Sequence, residues 1–255
     1  MGKTYNIHPS DDADTGVVIR IADLEKSFGN NDVLKGLSID LNKGENLVVL
    51  GKSGSGKSVL IKCLVGLIQP DKGSLTVLGE DILSLDNDGM NKLRRRVGFL
   101  FQSGALYDSM TVTENLLFPL RESKNIDQHA RIQLVKEALG NVGLSDVEHK
   151  MPSELSGGMR KRLGLARTLI LKPEIMLYDE PTTGLDPITS REISELMMNI
   201  QKEHKTSSII ITHDMACAKI TANRMVILKD GMVAATGTYN ELESSTDEWV
   251  HSFFS

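Results

Sequence analysis

The chain has 255 residues, of which 40% are apolar, and a formal net charge of −5 at pH 7. This apolar content suffices for one subdivided domain with a buried core, which excludes a disordered chain. A net negative charge provides no overall positive field for nucleic-acid phosphates, so we expect no nucleic-acid partner. The two cysteines, Cys63 and Cys217, lie far apart in apolar runs. They predict buried thiols rather than a disulfide or a metal site.

Residues 1–16 are polar and acidic, and we expect a flexible tail without a signal or transit peptide. No later run reaches the length of about 20 apolar residues that a membrane span needs. Alternating apolar positions in Val17–Ile21 and Leu37–Leu41 predict antiparallel strands. Asn46–Leu50 is nearly all apolar, which predicts a strand buried on both faces. A helix is expected from about Lys57 to Ile68, before a turn sequence rich in Pro and Gly.

The second half of the chain predicts a helical insert followed by more buried strands. Further strands are expected at Val97–Phe101, Ile175–Tyr178 and Ser208–Ile211, and helices at His129–Val142, Gly157–Leu171 and Pro187–Lys205. Strands alternating with helices indicate a parallel sheet with crossover helices, and hence an α/β fold. The last residues include Trp249, Phe253 and Phe254, which we expect to be exposed aromatics that dock on another surface.

A glycine-rich segment between the predicted strand and helix fits the phosphate-binding pattern G-x-x-x-x-G-K-[ST]. Its predicted phosphate-binding residues are Gly51, Ser53, Gly54, Ser55, Gly56, Lys57 and Ser58. Glycines let backbone N–H groups turn toward an anion, while the following helix adds its positive N-terminal end. Lys57 is expected to reach the outer phosphates of ATP and Ser58 to hold Mg²⁺. The alternative is a glycine-rich turn with an unrelated lysine.

Two acidic residues, Asp179 and Glu180, follow the predicted strand at Ile175–Tyr178. Asp179 is predicted to hold Mg²⁺ through water, and Glu180 to accept a proton from the attacking water. The alternative is a pair of acids that only cap the turn before Pro181.

A second glycine-containing helix start, Ser156, Gly157 and Gly158, provides another possible anion site. By itself this segment could be only a helix N-cap. The sequence argues against a guanine-nucleotide switch, because Asn91-Lys92 is not followed by the required x-Asp. Small-molecule kinases would not need this second phosphate-binding element.

Taken in order, these motifs resemble the ATP-binding cassettes of membrane transporters. The resemblance implies that Phe28 stacks on adenine, that Gln102 is catalytic and binds Mg²⁺ at the joint of the core and the helical insert, and that His213 is the switch histidine. Asp186 matches the loop that crosses to the opposite subunit. Alternatively, Phe28 is a core residue, Gln102 a surface residue, and His213 a partner of a buried carbonyl.

The resemblance implies a P-loop fold with a RecA-like core, an antiparallel β subdomain and an α-helical subdomain. We expect the ATPase domain at 17–245, with core segments 17–101 and 172–238, the helical subdomain at 102–171, and a short C-terminal docking tail at 246–255. The signature serine of this family serves the ATP of the facing subunit. The resemblance therefore implies a head-to-tail homodimer that hydrolyses ATP with Lys57, Glu180 and His213 as catalytic residues.

Three segments further resemble the cassettes of Mla- and Mce-type phospholipid transporters. They are Phe101–Tyr107 with Asn115 and Pro119–Glu122; Leu155–Met159; and Gly184–Thr189. Met159 departs from the glutamine that is common elsewhere in the cassette family. This resemblance implies an integral-membrane permease of the Mla type, an Mce-domain substrate-binding protein, a possible small accessory subunit, and a position on the cytoplasmic face of the inner membrane.

Other functions remain open on the sequence. The cassette could serve an importer of small solutes or a lipoprotein-releasing exporter, and the residues around Gln102 would distinguish them. A soluble cassette acting on DNA or ribosomes would carry two cassettes or a long coiled-coil insertion. An inactive regulatory subunit would have lost Lys57, Glu180 or His213, and all three are present.

Overall fold

The computed structural model describes residues 16–121 and 127–254. Glu122 and most of the predicted flexible tail lie outside these residues. The strands of the described part are β1 (Val17–Phe28), β2 (Asn31–Asn42), β3 (Asn46–Gly51), β4 (Lys72–Val77), β5 (Glu80–Asp81), β6 (Val97–Leu100), β7 (Ile175–Asp179), β8 (Ser207–Ile211), β9 (Arg224–Lys229) and β10 (Met232–Gly237). Its α-helices are α1 (Lys57–Leu64), α2 (Asn87–Arg96), α3 (Val112–Leu117), α4 (Gln128–Asn141), α5 (Gly157–Leu169), α6 (Pro187–His204), α7 (Met215–Thr221), α8 (Tyr239–Glu243) and α9 (Glu248–His251).

The strands form two sheets. A four-stranded sheet has the order β2-β1-β4-β5 and is antiparallel. A six-stranded sheet has the order β10-β9-β3-β8-β7-β6, and its neighbours from β9 to β6 are parallel. The predicted parallel sheet and the predicted antiparallel pair β1 and β2 are therefore confirmed. These two strands, with 12 residues each, are longer than the sequence runs that predicted them.

Alternate residues of the central strand β3 enter two different hydrophobic clusters. Leu47 and Val49 pack with the antiparallel sheet and α1, whereas Val48 and Leu50 pack with α5 and α6. Because side chains alternate across a strand, an all-apolar strand supplies both cores at once. Both faces of the sheet are thus covered. This packing holds the strands, and therefore the residues at their ends, in place.

Helix α1 is shorter than predicted and ends at Leu64. Gly66 takes a left-handed φ of 64°, its N–H donates to the Cys63 carbonyl, and the Leu67 N–H donates to the Lys62 carbonyl. This paired bonding around a left-handed glycine ends helices. The glycine stops α1 before the turn at Pro70 that the sequence suggested as its end.

The C-terminal aromatics are not exposed as predicted, since all three are partly buried against the core of the chain itself. Trp249 and Phe253 meet edge to face at 5.0 Å, and the Lys229 ammonium lies 4.6 Å from the Trp249 ring centroid. Phe254 packs edge to face on Tyr239 at 5.2 Å. The expectation of exposed rings is wrong because the chain provides their packing surface. A docking role for residues 246–255 stays a prediction.

Candidate nucleotide site

Four neighbouring strands of the parallel sheet end at the same edge, and a predicted site segment follows each of them. The phosphate loop follows β3, His213 follows β8, Glu180 follows β7, and Gln102 follows β6. The carboxyl edge of an open α/β sheet is where such folds bind ligands. The sheet order therefore brings together residues that are more than 150 positions apart in the chain.

The phosphate loop is built from closely packed backbone. Gly54 and Gly56 have left-handed φ values of 82° and 101°, and Gly56 caps the start of α1. A Cβ atom on Gly56 would lie 2.7 Å from Leu34 Cδ2 and 3.0 Å from the Val33 carbonyl oxygen. The loop therefore requires glycine at Gly56 for both its backbone conformation and its contact with β2.

Lys57 lies over this loop. Its Nζ donates to the Gly51 carbonyl at 2.6 Å and to the Lys52 carbonyl at 3.1 Å. The Ser55 hydroxyl is buried and has no hydrogen-bond partner among the described residues. A buried donor without a partner is costly unless a ligand satisfies it. The loop thus offers an unused donor beside a half-buried cation, a combination that fits a phosphate group.

Partial burial lowers the pKa of the Lys57 ammonium, while Glu180 and Asp179 oppose this shift. Burial, reinforced by the neighbouring Glu180, raises the pKa of Asp179. An added cation would favour the ionised form of Asp179, and an added anion the ionised form of Lys57. A phosphate bound together with a metal ion would therefore oppose both shifts.

Within the described residues, no group of three or more His, Cys, Asp or Glu side chains could hold a metal. Mg²⁺ at nucleotide sites needs only one or two protein ligands besides water and phosphate oxygens. The predicted ligands Ser58 and Gln102 are both exposed, and Asp179 lies at the end of β7. These residues fit Mg²⁺ bound with nucleotide, and do not form a cage for the metal alone.

Glu180 and His213 form a pair at the edge of the sheet. His213 Nδ1 lies 2.8 Å from Glu180 Oε2, and the Thr183 hydroxyl donates to the same oxygen at 3.2 Å. Glu180 has a left-handed φ of 50°, and its N–H donates to the Ile211 carbonyl. The Glu180 side chain is 15% exposed and that of His213 is 69% exposed. A shielded carboxylate beside an accessible imidazole can orient water and exchange a proton with it.

The second predicted anion site lies against the start of α6. The Ser156 hydroxyl accepts the Met159 N–H at 3.2 Å and thereby caps α5. A Cβ atom on Gly158 would lie 2.6 Å from Thr189 Cγ2. Asp186 caps α6 by accepting the Ile188 and Thr189 N–H groups, and hydrogen bonds from Thr189 lower its pKa. The structure thus brings the signature segment and the Asp186 loop together.

The remaining predicted residues lie on the surface. Phe28 ends β1 and is 49% exposed, with the Lys26 ammonium 5.3 Å from its ring centroid. Its alternative assignment to the core is therefore wrong. Ser53 and Gln102 are exposed, and the Gln102 carbonyl accepts a hydrogen bond from Lys161.

The structural roles of two buried polar residues were not predicted. Lys161 is buried in α5 and donates to the backbone of both Gln102 and Glu180. Asn115 is fully buried and bonds the backbone of Tyr107, Met110 and Thr111. Lys161 shares the helical spacing of the buried Leu165 and Leu169, which was a usable sign of a buried position. Asn115 was named in the sequence only through the resemblance to Mla- and Mce-type cassettes, which did not indicate its backbone contacts.

Comparison with known proteins decides the family. Residues 34–183 match the family model described as ABC transporter. The chain belongs to this family. It is an ABC-type ATPase. No helix in residues 16–121 and 127–254 of this ABC ATPase is long and apolar enough to cross a membrane.

Named relatives of this ABC ATPase differ in their reported cargo. It is 40% identical over 238 residues to the "Probable ribonucleotide transport ATP-binding protein mkl" of Mycobacterium leprae, covering 93% of this chain and 69% of the relative. It is 38% identical over 257 residues to "Protein TRIGALACTOSYLDIACYLGLYCEROL 3, chloroplastic" of Arabidopsis thaliana, covering 94% and 74%. A "Methionine import ATP-binding protein MetN" of Brucella abortus is 37% identical over 225 residues, covering 88% and 61%.

Solved cassettes share the fold of this ABC ATPase. The dimeric post-hydrolysis state of the ATP-binding cassette MJ0796, bound to ADP and Pi, matches with a TM-score of 0.79 at 29% identity, covering 86% of this chain and 98% of that one. The cassette cbiO1 of Clostridium perfringens, described as part of the transporter complex cbiONQ, matches with a TM-score of 0.82 at 26% identity, covering 94% and 100%. The predicted α/β cassette fold and ATPase activity are thus confirmed.

Proposed function

We propose that this ABC ATPase powers phospholipid transport across a bacterial cell envelope, in a transporter of the Mla or Mce type. The carrying observation for ATP hydrolysis is the Glu180 and His213 pair beside the phosphate loop. The lipid cargo is supported by the three segments that resemble Mla- and Mce-type cassettes. It is also supported by the relative that is named after a glycolipid, which aligns with 94% of this chain.

Each residue of the site has a proposed role. Gly51, Ser53, Gly54, Ser55 and Gly56 would wrap the phosphates of ATP, and Lys57 would offset their charge. Phe28 would stack on the adenine ring from the antiparallel sheet. Mg²⁺, held by Ser58 and Gln102 and through water by Asp179, would neutralise charge on the transferring phosphoryl group.

The hydrolytic step would depend on the carboxylate at the end of β7. Glu180 would orient water and accept its proton, since its side chain is shielded from solvent and its Oε2 lies 2.8 Å from His213 Nδ1. His213 would contact the γ-phosphate while remaining within hydrogen-bond reach of Glu180. Thr183 supports this geometry by donating to the same carboxylate oxygen.

The assembly would be a head-to-tail homodimer. Ser156 caps the start of α5, and Gly158 lies against Thr189 at the start of α6. In a head-to-tail dimer the signature segment would approach the ATP of the facing subunit, with Asp186 at the crossing loop. The dimeric MJ0796 structure supports this arrangement, which would give two equal sites related by symmetry.

The partners would meet the helical part of the chain. Tyr107 and Phe118 stack with centroids 4.4 Å apart, and the Arg121 guanidinium lies 4.0 Å from the Phe118 centroid. The buried Asn115 side chain accepts the Tyr107 N–H and donates to the Tyr107 carbonyl. This surface of Tyr107, Phe118 and Arg121 includes residues of the segment that resembles Mla- and Mce-type cassettes. We propose that it contacts an Mla-type permease at the cytoplasmic face of the inner membrane, in a complex with an Mce-domain protein and a small accessory subunit.

The test traps the ATP-bound complex. Glu180→Gln keeps the size of the side chain but removes the proton acceptor, so turnover should fall roughly 10²- to 10⁴-fold while ATP binding persists. We would isolate this variant from its native host in detergent with ATP and identify copurifying proteins and lipids by mass spectrometry. Lys57→Ala is the matched control, because it should lose the ATP-held complex.

The outcomes separate the candidate functions. An Mla-type permease with an Mce-domain protein and phospholipid would support the proposal. A permease for nucleotides, methionine or lipoproteins would refute the lipid cargo and leave ATP hydrolysis standing. Recovery of no membrane protein would favour a soluble cassette, and undiminished hydrolysis by Glu180→Gln would remove Glu180 from its proposed role.

A further inference from the structure

Lys161 is a buried lysine for which the proposed mechanism has no role. It lies in the first two turns of α5, and 7% of its surface is exposed. Lysine is almost never fully buried unless it is paired. Here the ammonium donates to two backbone carbonyls, those of Gln102 and Glu180, the latter at 3.3 Å. It therefore joins the loops that follow β6 and β7.

The position is costly for a cation. Burial lowers the pKa of the Lys161 ammonium, and the neighbouring Glu180 and Asp179 carboxylates only oppose this shift. An apolar side chain of similar volume would avoid the loss of hydration, and such replacements are often neutral or stabilising. Packing alone therefore does not account for a lysine at this position.

The bond to Glu180 acts on a residue whose backbone is already constrained. Glu180 has a left-handed φ of 50°, which non-glycine residues adopt only when the surroundings hold them. Its N–H is bound by the Ile211 carbonyl of β8, and its carbonyl by Lys161. The orientation of its side chain toward His213 depends on this peptide geometry. The same carbonyl also accepts the Thr183 N–H at 3.3 Å, so Lys161 and the turn after Glu180 hold it together.

The N-terminal end of the same helix carries the signature segment. Ser156 caps α5, and Lys161 follows five residues later, which is about 7.5 Å along a rigid helix. A displacement of Ser156 is therefore transmitted to the ammonium of Lys161. The same helix thus carries the residues that would meet the facing subunit's ATP and the lysine that holds this subunit's own catalytic loops.

We propose that Lys161 is a positioning residue for ATP hydrolysis, which ties the signature helix to the backbone of Glu180 and of Gln102. This inference rests on the proposed role of Glu180. Lys161 acts through these two loops and need not touch nucleotide. Its loss should consequently slow the hydrolytic step and leave ATP affinity unchanged.

The test compares three variants of the full chain with the parent ATPase. Lys161→Met removes both donors with little change in volume, and Lys161→Arg keeps the charge and the donors. Lys136→Met is the matched control, because Lys136 is exposed in the middle of α4. For each we would measure kcat, KM for MgATP, ATP affinity and the thermal midpoint.

We expect Lys161→Met to lower kcat at least about tenfold with KM within about twofold, which is the pattern of an interaction that matters in the transition state. Its thermal midpoint should be unchanged or higher. Lys161→Arg should retain kcat within about threefold, and Lys136→Met should match the parent. A merely structural role would instead lower the midpoint together with activity.

Several outcomes would overturn the inference. Parent-like kcat in Lys161→Met does so, as does a loss of kcat that only follows a loss of folded protein. If Lys161→Met does not fold, Lys161→Gln keeps one amide donor and must still show reduced kcat with normal ATP affinity. Glu180→Gln is measured in parallel, since full activity there refutes the proposed role of Glu180, whereas its inactivity beside an active Lys161→Met refutes only the role of Lys161.

Discussion

The phosphate loop allows a stability prediction from two of its glycines, which share a left-handed backbone but differ in their surroundings. Gly56→Ala would place Cβ 2.7 Å from Leu34 Cδ2 and 3.0 Å from the Val33 carbonyl oxygen. Gly54→Ala meets nothing within 4 Å of its Cβ. The pair therefore separates the cost of the backbone conformation from that of the close contact.

The two costs differ in size. A left-handed conformation costs a non-glycine residue about 1 to 2 kcal/mol. Overpacking adds about 1 to 3 kcal/mol, because the Val33 carbonyl belongs to a paired strand and cannot easily move. Gly54→Ala should lose only the first amount, and Gly56→Ala about 2 to 5 kcal/mol in total. Against a typical stability of about 5 to 15 kcal/mol, the larger loss is severe.

Urea unfolding followed by circular dichroism measures both variants, with ATP affinity as a second readout. We expect a clearly lower urea midpoint for Gly56→Ala than for Gly54→Ala. The slope of the free energy of unfolding against urea should be the same for both variants. Equal midpoints would refute the argument, because they would mean that the contact between the loop and β2 is absent or freely relaxed. A urea midpoint that is lower for Gly54→Ala than for Gly56→Ala would refute the argument more strongly.

Three further predictions concern other parts of the site and core. Burial and Glu180 raise the pKa of Asp179, so ionisation of this carboxyl disfavours folding above the pKa that it has in the unfolded chain. Without nucleotide, Asp179→Asn should therefore raise the urea midpoint at pH 7.5 and lose this advantage near pH 4. The same variant should abolish ATP hydrolysis. Burial raises the pKa of both Cys63 and Cys217 to about 11, so a thiol reagent at pH 8 should modify neither until urea unfolds the chain. Asn115→Ala should lower the free energy of unfolding by about 2 to 4 kcal/mol in urea titrations, because several buried backbone groups lose their partner.

Much of the fold was predictable because its signals are local. An all-apolar strand, a glycine-rich loop and a helix with its cap follow one another along the chain, and the structure keeps β3, the loop and α1 in that order. The acidic end of β7 is readable for the same reason. Phe28 is exposed at the end of β1, and its stacking on adenine stays a prediction.

The sequence failed where the structure depends on contacts between distant segments. The helical spacing of Lys161 indicated burial, but its backbone partners lie in the loops after β6 and β7, which are distant from it in the sequence. The sequence predicted exposed C-terminal aromatics because their partners, Lys229 and Tyr239, belong to other elements. The end of α1 is a different case, because it depends on a local residue. The helix stops just before Gly66, whereas the sequence prediction placed its end near Pro70.

The order of strands in the six-stranded sheet also has a consequence for synthesis of the chain. Strand β3 carries the phosphate loop, yet both of its neighbours, β8 and β9, come from residues 207–229. At about 5 to 20 residues per second, the ribosome needs on the order of 10 to 40 s between these segments. For most of that interval both edges of β3 are unpaired, and the face of Val48 and Leu50 lacks the helices α5 and α6 that cover it in the folded chain. The nascent chain is therefore expected to need a chaperone, or contacts with its own early antiparallel sheet, before it can bind its first nucleotide.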